Sequence, residues 1–64
     1  MEHKLLLGNI IADYIEKDFG FRREKCLDLA LQFFQDKSDE DLPVARLLDF
    51  YTEIKKKIEV GELL

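Results

Sequence analysis

Cys26, His3 and the acidic run Asp36-Lys37-Ser38-Asp39-Glu40-Asp41 hold the side chains best equipped for chemistry in this 64-residue chain. A cysteine nucleophile needs a neighbouring base or cation to hold its thiolate. The single histidine, His3, stands in the N-terminal stretch, where helices fray, so Cys26 reads as a small buried hydrophobe. One cysteine excludes an internal disulfide and a multi-cysteine metal site, and it suits a reducing compartment. The acidic run fails as a calcium loop. With Asp36 in the first position, Asp41 falls where a glycine is required and Leu47 where a bidentate glutamate is required. The three glycines are too far apart for a phosphate-cradling loop, and no HExxH, CxxC or nucleophile elbow occurs. Carboxylate pairs such as Asp13 and Glu16 read as solvated charge, because acid–base work needs an enclosing pocket to shift a pKa. The expectation is a non-enzymatic protein with no metal and no cofactor.

Charge bears on nucleic acid in the same way. The formal net charge is −4, with four acids against one lysine in residues 36–41. Arg22, Arg23 and Lys25 form one basic cluster and Lys55, Lys56 and Lys57 another, but no continuous basic stripe exists to grip a phosphate backbone. A helix-turn-helix would need a turn of about 3–4 residues. The acidic stretch is longer, and only Arg46 near the start of the third helix is placed to read a base. A DNA-associated regulator with a divergent helix-turn-helix is therefore the alternative reading, not the first.

Helices must position all of these side chains. Few turn-formers interrupt the chain, with three glycines and one proline. Leu7, Ile10, Ile11, Tyr14, Ile15 and Phe19 recur at steps of three and four, which predicts a helix over about 3–19, stopped by Gly20. Gly8 lies inside that apolar side, either for close helix approach or in an irregular first turn. A second helix is predicted over about 22–35 and lacks a good N-cap residue. The third is predicted over about 43–60, with Val44, Leu47, Leu48, Tyr51, Ile54 and Ile58 as its stripe. Ser38 with Asp41 suggests a capping box; alternatively Asp41 caps and Pro43 occupies the first turn. Lysines near the helix end and Gly61 after it suit the C-terminus. The fold class is all-α, a three-helix bundle forming one domain over 1–64.

The apolar surface exceeds what three helices need to hide. At 100° per residue the second segment, Cys26 to Phe34, shows an apolar arc of roughly 200°, about twice that of an ordinary surface helix. The excess gathers at Leu5, Leu27, Leu31, Phe34 and Phe50. Exposing a large apolar side chain forgoes about 1.5–3 kcal/mol, so such a set rivals the stability of a small domain. An interface is therefore expected through helices two and three at Leu27, Leu31, Phe34 and Phe50. It would be covered by a second copy in a two-fold dimer or by a partner protein. No apolar run approaches the roughly 20 residues of a membrane span, and Gly8 and Asn9 interrupt Leu5-Leu6-Leu7 before it resembles a leader peptide, so a cytoplasmic protein is expected.

Small size, acidity and the run Arg22-x-x-x-Cys26-Leu27-x-Leu29-Ala30 resemble the small helical proteins of bacteriophages and mobile elements. Some of these act as inhibitors, immunity proteins or transcriptional accessories. The resemblance implies regulation through protein contact.

Overall fold

The computed structural model describes residues 2–63, of which the chain's helices are the only regular elements: α1 spans His3–Phe19, α2 Arg23–Phe34 and α3 Leu47–Glu59. The fold is all-α, a compact three-helix arrangement without strands among the described residues. Two short 3-10 turns, Asp39–Asp41 and Val44–Arg46, lie between α2 and α3.

Gly20 ends α1 at φ 73°, in the left-handed region that glycine enters without a Cβ clash, and its N–H donates to the Glu16 carbonyl. The Phe19 and Phe21 rings stack across this turn with centroids 5.4 Å apart. The chain thus reverses within three residues, and α2 returns antiparallel to α1. Three contacts fix the register. Lys4 Nζ donates to the Gln35 carbonyl at 3.4 Å, Gly8 lies under Leu27 and Leu31, and Arg23 bonds the Asn9 carbonyl at 3.0 Å and forms an ion pair with Asp13. Gly8 sits in a continuous helix, which settles its role as a point of close approach.

α3 runs in the same sense as α1. His3 Nε2 donates to the Leu42 carbonyl at 2.5 Å near one end, while Tyr51 stacks on Tyr14 and its hydroxyl donates to Asp18 near the other. His3 is therefore tied down, where fraying was expected. The third helix also begins later than the expected residue 43. Pro43 and the following residues close a separate 3-10 turn, and Arg46, at φ −101° and ψ 16°, leaves helical geometry before Leu47. Ser38 does not cap a helix; its hydroxyl donates to the Asp41 carboxylate at 3.0 Å.

The core is wholly apolar. Leu7, Ile11, Ala12 and Ile15 of α1 meet Cys26, Leu29, Ala30, Phe33 and Phe34 of α2, with Phe50 and Ile54 of α3. Leu42, from the connection, is fully buried among them. No described side chain leaves a buried polar atom without a partner. For so short a chain this matters, because an unsatisfied buried group would cost about 1–3 kcal/mol of a small total.

Candidate functional site

The structure divides the expected interface residues into two kinds. Phe34 is fully buried and Phe50 is 6% exposed. The two rings meet edge to face inside one chain, with centroids 5.9 Å apart, and Phe33 joins them at 5.4 Å from Phe34 and 6.4 Å from Phe50. Their burial removes the reason for placing them at an interface, and it corrects the expectation that Phe34 meets a Phe50 from outside. The physical reason is the connection. Leu42 folds back into the core, so the end of α2 gains a cover that neither neighbouring helix supplies. Leu27 and Leu31 are half-buried and pack over Gly8, where no side chain stands between the helices.

A shallow cavity of about 330 Å³ lies beside Leu31 and is lined by Glu2, Lys4, Leu5, Leu31 and Gln35. It lies between the start of α1 and the end of α2. The chemistry tested on the sequence finds no setting elsewhere. Cys26 is buried, its thiol faces the Phe21 carbonyl at 3.5 Å, and burial, followed by the Glu16 charge, pushes its pKa up, away from a reactive thiolate. Among the described residues no group of three or more metal-ligating side chains comes together. Of the basic residues, Arg23 is paired with Asp13, Lys25 lies 4.4 Å from the Phe21 ring centroid, and Arg46 lies 5.7 Å from that of Phe50 and 3.5 Å from Asp49.

The exposed apolar surface lies instead on the side where α1 and α3 run together. Leu6 is 43% exposed, Tyr14 38%, Val44 54% and Leu48 64%. Leu6, the half-buried Ile10 and Tyr14 follow at four-residue steps and so share one stripe of α1. Leu48 precedes Tyr51 by one turn, and Val44 stands in the 3-10 turn that leads into α3. The Tyr14–Tyr51 contact, 5.4 Å between centroids, joins the two stripes. Burial and the hydrogen bond to Asp18 push the Tyr51 pKa above the ordinary tyrosine value of 10.

Val44 and Leu48 were expected in the buried stripe of the third helix, and the sequence offered no sign that they lie outside. Their placement follows from the 3-10 turn, which sets Val44 off the helical periodicity, and from the burial of Phe50, which rotates Leu48 outward. No helix is long and apolar enough to cross a membrane among the described residues. Compared with known proteins, the chain matches no family model, no curated protein and no solved structure.

Proposed function

We propose that this protein works by binding a protein chain through the face formed by α1 and α3, as a non-enzymatic regulatory or accessory module. The observation that carries the reading is the gathering of Leu6, Tyr14, Val44 and Leu48 on one side of the molecule. Isolated apolar side chains on a surface need no explanation, and Val60, 70% exposed near the far end of the chain, is one such residue. Four on one face are different: each forgoes about 1.5–3 kcal/mol while it stays in water, and covering them together recovers part of that. The buried thiol, the apolar core and the shallow cavity fit a module that acts by contact and not by catalysis.

The test is a photo-crosslinking side chain placed at Leu48 and, as a control, at Glu24 on α2, irradiated in contents of the source cell. Protein adducts from position 48 and none from position 24 are expected. No adduct at position 48 would overturn the reading.

A further inference from the structure

The geometry points to a covalent modification site at Tyr14 and Tyr51. Under a one-electron oxidant, of the peroxidase or peroxide-derived radical class, the two rings join as an intramolecular dityrosine that locks α3 to α1. These are the only two tyrosines of the chain, and folding brings them from opposite halves of the sequence into ring contact. Their centroids are 5.4 Å apart and their planes are tilted by 32°. Tyr14 is 38% exposed, so its ring is open to the oxidant, and Tyr51 is half-buried against it. The sequence holds no tryptophan to compete for the oxidant. The thiol of Cys26 is buried, and burial keeps it protonated, which leaves the phenols as the readiest one-electron donors.

The hydrogen bond at Tyr51 supplies what this chemistry needs next. A phenol that gives up an electron becomes strongly acidic and must shed its proton to continue as a neutral radical. The Tyr51 hydroxyl already donates to the Asp18 carboxylate, so its proton moves along an existing bond to an acceptor in contact. The Tyr14 proton passes to water. Two successive one-electron oxidations thus leave two phenoxyl radicals side by side. They couple through one carbon–carbon bond between ring carbons ortho to the oxygens. The ring hydrogens at those carbons leave as protons while the oxygens take protons back, which restores both phenols. The chain loses two hydrogens, as two protons and two electrons, and the oxidant takes the electrons. Ring contact makes the coupling unimolecular and favours it over coupling between chains at low concentration. The helix so fastened is the one with the fewest buried residues: α3 buries Phe50 and Ile54, where α1 and α2 bury five each. The new bond closes a long loop through α2 and the connection, so it restricts the opened chain more than the closed one.

Irradiating the full chain at low concentration with a ruthenium photosensitiser and persulfate, which accepts two electrons and leaves as two sulfate ions, tests this. A monomer lighter by two hydrogens is expected, with dityrosine fluorescence and a Tyr14–Tyr51 linkage on peptide mapping. Tyr14→Phe and Tyr51→Phe should each abolish it. Asp18→Asn, with its fold confirmed by circular dichroism, should lower the yield severalfold by removing the proton acceptor. In the linked chain α3 amides should exchange about tenfold more slowly or better. No dityrosine, links formed only between chains, or a yield unchanged when the chain is first unfolded in urea overturns the inference. An Asp18→Asn chain that links as fast overturns the proton path, and α3 amides that exchange as before overturn the lock.

Discussion

Leu31 Cδ2 lies over the backbone of Gly8 so closely that a Cβ at that glycine would stand 3.1 Å from it, with Leu27 Cδ1 at 3.4 Å. Both are ends of flexible, half-buried side chains, and Leu31 borders an open cavity into which it can turn. Alanine in the helix interior gains about 0.5–1 kcal/mol over glycine. The shift asked of Leu31 is a few tenths of an ångström, so Gly8→Ala is expected to be stabilising by less than about 1 kcal/mol. Gly20→Ala should have the opposite sign. Nothing lies within 4 Å of its Cβ, but φ is +73°, and the left-handed conformation costs a residue with a Cβ about 1–2 kcal/mol. Urea denaturation of both variants checks the pair.

Phe34 and Leu48 provide a second contrast, because the sequence treats both as apolar helix residues and the structure separates them completely. Phe34→Ala removes a fully buried ring from the aromatic cluster and should destabilise by about 3–5 kcal/mol, enough to leave little folded protein. Leu48→Ala, on an exposed side chain, should change the stability of the isolated chain by less than about 0.5 kcal/mol. Thermal unfolding followed by circular dichroism at low concentration distinguishes them.

How much of this was legible in the sequence follows from what periodicity can and cannot encode. The bounds of α1 were readable because Gly20 stops an unbroken three-and-four repeat, and the start of α2 is displaced by one residue. The start of α3 was not readable, since a proline in a first turn and a proline before a 3-10 turn have the same residues around them. Leu42 belongs to no stripe, so nothing in its spacing marks it as core. Phe34 and Phe50 then looked surplus, because the cover that Leu42 and the Phe33–Phe34–Phe50 cluster provide comes from tertiary folding. Leu27 and Leu31, expected at the interface, lie half-buried over Gly8.

The connection is held at Leu42 twice, by its buried side chain and by its carbonyl on His3. Leu42→Ala is expected to cost about 2–5 kcal/mol, and His3→Ala about 1 kcal/mol. The two should be less than additive in a double-mutant cycle, because once the leucine is truncated the carbonyl is no longer fixed opposite the imidazole. Additive values from denaturation would show that the two anchors act independently.

Alkaline pH should loosen the junction of α1 and α3. The Tyr51 pKa is raised in the folded chain by burial first and by its hydrogen bond to the Asp18 carboxylate second. A group whose folded pKa lies above its unfolded value contributes stability below the unfolded value and loses it as pH climbs toward the folded one. Stability is therefore expected to fall as pH rises above about 10, the unfolded value. In a Tyr14→Phe background, phenolate absorbance should show Tyr51 ionising above the ordinary range. Asp18→Asn should lower that midpoint without restoring it fully, since burial is the larger cause.

The uneven sharing of the core has a consequence for how the molecule comes apart. α1 and α2, joined by a three-residue reversal, each bury five residues, whereas α3 contributes only Phe50 and Ile54 as buried anchors. Native-state hydrogen exchange should accordingly resolve a sub-global opening, with α3 amides exchanging at lower free energy than those of the α1–α2 hairpin. In that partly opened form Phe33, Phe34 and Leu42 would meet water together. The chain thus carries a second, larger greasy surface that only a fluctuation uncovers, and any protease or chaperone that samples it would encounter the aromatic cluster before the rest of the fold gives way.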